Sequence, residues 1–306
     1  MKNISKLIFC SLLFGLQLSI AQAEEVTLKF NDITLNANLE IAEGKKLSDG
    51  VVLVMHSFTA HNGMEIIKAS QDALLENEQN SLAINLSYGV DNRHGSYDCM
   101  IPIRFKLSDA MAELDAWLNW LKSQGVKKSV FMGHSVSANQ VLIYAVDRND
   151  PAISGLVLLV PNTVGHPSSP ERYKTRYGAS LEKILDRAKT MIADGKADQL
   201  MENTDFGFCP KSSVTADAFY DFYQQGNKFW TAHLYLPEVK VPTLVIAASM
   251  DEVQPDIEKH VTPYVDDKRI SLAIIDGAGH FFRDFNIEDA VEKAVEFIAK
   301  LDMSSQ

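Results

Sequence analysis

Over residues 25–43 apolar and polar positions alternate on either side of Asn31-Asp32, the pattern of an antiparallel hairpin with one face in water. After a polar turn at Lys45 to Gly50 the pattern changes. Val51–Met55, Leu82–Leu86, Val130–Met132, Leu156–Val160 and Leu244–Ala248 are short apolar runs without alternation, as expected of strands covered on both faces. Between them lie stretches with helical spacing. Leu107, Met111, Leu114, Leu118 and Leu121 recur every three or four residues, with Ser108 and Asp109 near the start. Ile287, Ala290, Val291, Ala294, Ile298 and Leu301 form a second stripe that closes the chain. Strand–helix alternation of this kind predicts an α/β fold, a mostly parallel sheet with helices on both faces. Ligands then bind beyond the carboxyl ends of the strands.

Residues 163–238 break the alternation. They are rich in helix formers and in aromatics: Phe206, Phe208, Phe219, Tyr220, Phe222, Tyr223, Phe229 and Trp230. A long insertion between two buried strands predicts a helical lid at the ligand end, since such insertions tend to serve function. The plainer alternative is a pair of surface helices whose aromatics pack inward. The organisation expected is therefore a first core segment over 24–162, a cap over 163–238 and a second core segment over 239–306.

Residues 1–23 carry no fold information. Lys2 and Lys6 precede the apolar run LIFCSLLFGLQLSI, and Ala21-Gln22-Ala23 has the small-x-small pattern of a signal-peptide cleavage site. The run, about 14 residues, is short of the roughly 20 needed to span a bilayer, so no stable membrane insertion is expected once the leader is removed. This predicts a periplasmic or secreted protein. The formal charge of −11 becomes more negative when Lys2 and Lys6 are lost, which disfavours nucleic acid and anionic membrane as partners. Cys99 and Cys209 are the cysteines beyond the leader. In an oxidising compartment such a pair is more often joined than free.

The candidate chemistry centres on Gly133-His134-Ser135-Val136-Ser137, between an apolar run and a helix-like run. A serine on a sharp strand-to-helix turn projects its hydroxyl away from its own backbone, and the flanking positions must be small to let strand and helix approach. Gly133 meets this requirement, and Ser137 meets it approximately. The competing reading is a serine that merely caps the helix. Partners decide between the two: Asp251 follows the run VPTLVIAASM, and His280 follows ISLAIIDGAG, both at the ends of buried strands.

From Val51 onward the chain resembles the α/β-hydrolase superfamily, on its branch of esterases, lipases and serine aminopeptidase-like enzymes with an inserted helical cap. The landmarks are VVLVMHSF, FMGHSVSANQ, PTLVIAASMDEVQP and GAGHFF, in that order. The resemblance implies a nucleophile at Ser135, a general base at His280 and an orienting acid at Asp251, with Glu252 as the adjacent alternative. It implies an oxyanion hole built from the backbone N–H groups of Val136 and Phe58. Where the family usually has glycine, this chain has Ser57 and Ser137, each adding a hydroxyl that could donate in crowded space. The implied activity is hydrolysis of an ester, thioester or amide in a small-molecule acyl substrate, with no metal or organic cofactor required. Acyl transfer or carbon–carbon hydrolysis would use the same three residues, and a non-catalytic binding protein could keep the fold.

Other polar residues fit blander roles. His56 and His134 read as buried, hydrogen-bonded residues of their loops. Asp91, His94 and Asp98, in DNRHGSYDC, lack the paired spacing of zinc sites and the alternation of a calcium loop, so the loop is expected to shape the pocket. A Cys99–Cys209 bond would tie it to the cap.

Overall fold

The computed structural model describes residues 22–163, 168–266 and 268–303. The expected leader therefore lies outside the described residues up to position 21. Strand β1 (Gln22–Phe30) pairs antiparallel with β2 (Ile33–Ile41), and Asn31 makes the turn at a φ of 50°. Asparagine tolerates this left-handed conformation better than most residues.

The core strands follow, alternating with helices: β3 (Val51–Met55), α1 (Glu65–Glu76), β4 (Ser81–Asn85), α2 (Asp109–Ser123), β5 (Ser129–His134), α3 (Val136–Arg148) and β6 (Ile153–Leu159). Every residue of β3, β4 and β5 is buried, which explains the absence of alternation in their sequences. After a long insertion come β9 (Thr243–Ala248), α7 (Ile257–Val261), β10 (Ile270–Ile275) and α8 (Asn286–Met303). The eight-stranded sheet runs β1-β2-β4-β3-β5-β6-β9-β10, antiparallel between β1, β2 and β4 and parallel throughout the rest.

This order fixes where a ligand can bind. From β3 the chain steps outward to β4, whereas from β5 it steps the opposite way to β6. Right-handed crossovers then put α1 on one face of the sheet and α2 and α3 on the other. The packing agrees: α1 lies against α8, and α2 against α3. Because the connections leaving β3 and β5 part company, a crevice opens between their carboxyl ends. The residues that emerge there are His56 to Ala60 and Ser135.

The insertion between β6 and β9 is only partly helical. It contains α4 (Pro170–Tyr177), α5 (Leu181–Ala193) and α6 (Ala216–Tyr223), but also a hairpin of β7 (Leu200–Phe206) and β8 (Cys209–Thr215). The helical reading missed it because β7 and β8 are polar for strands, with only one buried face each. Cys209 begins β8 and is bonded to Cys99, with the Cα atoms 5.3 Å apart. Ile103 extends the attachment: its N–H donates to Ser213 O and its carbonyl accepts from Thr215 N–H. Among the described residues no helix is long and apolar enough to cross a membrane.

Candidate active site

Ser135 leaves β5 immediately after the last paired residue, and its N–H donates to Leu159 O on β6. Its backbone has φ 58° and ψ −124°, a conformation that costs a non-glycine residue about 1–3 kcal/mol and persists only where the surroundings enforce it. The strand on one side and the first turn of α3 on the other supply that enforcement. Gly133 is indispensable to it: a Cβ there would stand 2.4 Å from Ser137 O and 2.6 Å from Ala138 N.

The Ser135 side chain makes no capping bond to α3, which removes the plain helix-cap reading. Its Oγ lies instead 3.1 Å from His280 Nε2. On the other side of the ring, His280 Nδ1 is 2.8 Å from Asp251 Oδ2. All three residues are buried. Asp251 Oδ1 accepts the N–H groups of Val253 and Gln254 at 2.7 and 2.8 Å, so the turn after β9 clamps one oxygen and presents the other to the imidazole. Burial raises the Asp251 carboxyl, but the bond from His280, its charge and the two N–H groups outweigh burial and hold it below the ordinary carboxylate value. Glu252, the neighbouring acid, is exposed and lines the cavity without meeting His280.

His134 lies behind this row. Its Nε2 donates to the His280 carbonyl at 2.8 Å, fixing the loop that carries the imidazole. Burial, then the nearby His280, push its own ring down to about 3, so it stays neutral.

The loop after β3 faces Ser135. Among the described residues, the N–H groups of Ser57, Phe58 and Val136 have no protein acceptor. Most of the neighbouring polar atoms are taken, the Ser57 hydroxyl being an exception among the described residues. Ser137 Oγ donates to His56 O at 2.5 Å, so this hydroxyl holds the loop and is not available as an extra donor to a ligand. Thr59 N–H donates to Tyr88 Oη, and Ala60 O accepts from Arg93 Nη2 at 2.9 Å. His56 Nδ1 donates to Ser57 O, while Nε2 accepts the N–H of Leu86. Burial, then the Arg93 cation, depress His56 to about 3.

Arg93 is the residue that sequence reasoning missed. It is 5% exposed, inside the loop taken only as a pocket wall, and it also bonds Leu86 O and Asn85 Oδ1 at 2.7 Å each. No pattern in DNRHGSYDC distinguishes a buried arginine from a solvated one. Its neighbours point elsewhere: Asp91 accepts from Thr34 N–H, His94 meets Glu25 at 2.8 Å, and Asp98 accepts from Met100 N–H. Among the described residues no three acidic, histidine or cysteine side chains gather as a metal site. Asn139, Asn162 and Gln254 were also missed. Gln254 Nε2 donates to Asn162 Oδ1 at 2.7 Å and Asn139 Nδ2 to Asn162 O at 2.9 Å, joining the Asp251 turn, the β6 loop and α3.

A cavity of about 460 Å³ opens on Ser135, Val136 and His280. Its wall comes largely from the insertion, including Tyr177, Phe208, Phe222 and Trp230. The polar atoms of these aromatics are engaged inward, Tyr177 Oη with Gly207 O and Trp230 Nε1 with Phe222 O. The cavity is thus predominantly apolar around the buried Ser135–His280 pair, with Arg172, Arg176 and Glu252 also in its lining.

No family model matches the sequence, and no curated protein matches it either. Solved structures do. The chain is similar to Est1E from Butyrivibrio proteoclasticus with ferulic acid bound, with 18% identity over 91% of this chain and 99% of that one and a TM-score of 0.64. It is similar to a monoacylglycerol lipase from Paleococcus ferrophilus, with 16% identity, 87% and 99% covered and a TM-score of 0.59. The α/β hydrolase GrgF from Penicillium sp. sh18 gives 14% identity, 91% and 98% covered and a TM-score of 0.64. With its strand order, its handed crossovers and these neighbours, the chain has the α/β-hydrolase fold.

Proposed function

We propose that this chain is an exported serine hydrolase that cleaves an ester, thioester or amide of a small acyl substrate through an acyl-Ser135 intermediate. The observation that carries the proposal is the continuous contact from Ser135 Oγ to His280 Nε2 at 3.1 Å and from His280 Nδ1 to Asp251 Oδ2 at 2.8 Å. His280 Nε2 takes the hydroxyl proton as Oγ bonds to the carbonyl carbon. The carbonyl oxygen becomes an oxyanion and is met by the N–H groups of Phe58 and Val136. As the intermediate collapses, the bond to the leaving group breaks and His280 protonates that group. Water then repeats the sequence on the acyl-enzyme, releasing the acid and restoring Ser135. Asp251 holds the ring and offsets the imidazolium charge.

An esterase and a lipase among the structural neighbours support this chemistry. The insertion over 163–238 acts as the cap that shapes the acyl-binding cavity. Residues 1–23 act as a signal peptide, and the Cys99–Cys209 bond supports an oxidising destination, periplasmic or extracellular. The test is direct. A fluorophosphonate probe should label the wild-type protein, and Ser135→Ala should abolish labelling and turnover of a short-chain 4-nitrophenyl ester. Labelling that persists in Ser135→Ala would place the nucleophile elsewhere.

A further inference from the structure

Behind the loop that carries Phe58 lies a second cavity, of about 310 Å³. Its floor is Ile66 and Ile67 of α1, and its walls include Met64, Tyr97 and the Cys99–Cys209 disulfide. Four residues line both cavities: Ser57, Phe58, Phe208 and Phe281. The two spaces therefore adjoin along the strip that holds Phe58, beside the neighbour of His280. A void of 150 Å³ accommodates a benzene ring, so the second cavity has roughly twice that room.

Several of the polar groups around it are already used, whereas His134 Nδ1 and the Ser57 and Ser96 hydroxyls, which also line it, have no protein partner among the described residues. Thr59 Oγ1 donates to Phe58 O, both ring nitrogens of His56 are engaged, and Tyr97 Oη reaches Ile101 O and Pro102 O at 3.4 Å. A ligand entering it meets mainly hydrocarbon, ring faces and sulfur, with few polar atoms to replace lost water. Sugars and ions would lose most of their hydration there without replacement.

A carbonyl held at Phe58 and Val136 has two substituents that diverge from the reacting carbon. The larger cavity, which contains Ser135 and His280, receives one of them. We propose that the second cavity receives the other, so that the substrate is an ester or thioester with an apolar group, of one to two rings or an equivalent chain, on each side of the scissile bond. This inference rests on the serine-hydrolase reading and adds the substrate class to it. It also gives the disulfide a part in selectivity, because Cys209 and the adjoining Phe208 form the wall that Cys99 holds in place.

The experiment uses the full chain and two series of esters, one with a constant short acyl group and alcohols of increasing apolar size, the other with the roles reversed. Within each variant the readout is the ratio of kcat/KM for the bulkiest ester to that for the shortest, so a general loss of activity cancels. Met64→Trp, which fills the second cavity, should lower that ratio at least tenfold in one series and leave it within threefold in the other. Met64→Ala, which enlarges the cavity, should raise it in the same series, and keeps the test decisive where the tryptophan variant does not fold. Ratios unchanged in both series, or shifted equally in both, would overturn the second subsite while fluorophosphonate labelling at Ser135 still stood. Absence of labelling in the wild type would instead refute the hydrolase reading itself.

Discussion

Gly133→Ala is the sharpest perturbation of the turn that presents Ser135. The added Cβ would lie 2.4 Å from Ser137 O, 2.5 Å from Ser137 C and 2.6 Å from Ala138 N, all of them backbone atoms that no rotamer change can clear. Ordinary contact begins at 3.4 Å, so the first turn of α3 must retreat from β5 by about 1 Å, the scale of misplacement that costs about 10²-fold in rate. The retreat carries Ser135 and the Val136 N–H with it, and the 3.1 Å contact to His280 Nε2 is lost. Overpacking of this kind costs about 1–3 kcal/mol of stability. Compared with wild type, the variant should still fold, melt a few degrees lower, and lose about 10²-fold in kcat/KM on a short nitrophenyl ester, equivalent to about 2.7 kcal/mol of transition-state stabilisation. A folded Gly133→Ala protein with kcat/KM within threefold of wild type would refute the argument that Gly133 sets the position of Ser135.

Two further outcomes concern stability. Replacing Cys99 and Cys209 together by serine opens a link across 110 positions, for which chain entropy gives a loss of about 4–5 kcal/mol, to be read from guanidinium unfolding with the wild type under oxidising conditions. Glu113 of α2 is buried, and its carboxylate accepts from Ser87 N–H and Ser87 Oγ. Burial raises it from 4.5 to about 7 against the lowering effect of those bonds and of Arg93. The folded state then holds a proton that the unfolded chain releases, so its contribution is complete below about pH 4.5 and is lost as pH rises through about 7, on the order of 3 kcal/mol in all. Urea unfolding at about pH 5 and about pH 8 should show a pH-dependent loss that shrinks in Glu113→Gln, and an identical pH dependence in the two proteins would refute the assignment.

The strands were legible because burial on both faces leaves an unmistakable record: each apolar run from Val51 to Ala248 falls within one residue of an observed strand. The row Ser135, Asp251 and His280 was legible because each member sits just beyond such a run, where chain order alone limits the possibilities. Sequence favoured Asp251 with Glu252 as the adjacent alternative, and the turn separates them: only the first is bonded by the N–H groups of Val253 and Gln254. The β7–β8 hairpin was hidden, since its pairing partner is its own neighbour and its exposed face is polar. Arg93 was hidden for a different reason. Its value lies in four carbonyl and amide oxygens contributed by Asn85, Leu86, Ala60 and Gly95, and no spacing of side chains encodes the convergence of main-chain acceptors.

That convergence accounts for how the loop after β3 is held beside the oxyanion position proposed at Phe58 and Val136. A glycine-rich loop can bring its N–H groups close to a ligand because nothing obstructs it, but it must then be immobilised by other means. Here immobilisation comes from polar side chains on three sides: Ser137 on His56 O, Tyr88 on Thr59 N–H, and Arg93 on Ala60 O. Each of these atoms is satisfied within the protein, and an unpaired buried one would cost about 1–3 kcal/mol. The Ser57 and Phe58 N–H groups stand apart, without a protein acceptor among the described residues and beside the cavity that contains Ser135. The loop is thus tied at His56, Thr59 and Ala60 by groups that have partners, and the proposed mechanism uses a donor that has none, the Phe58 N–H.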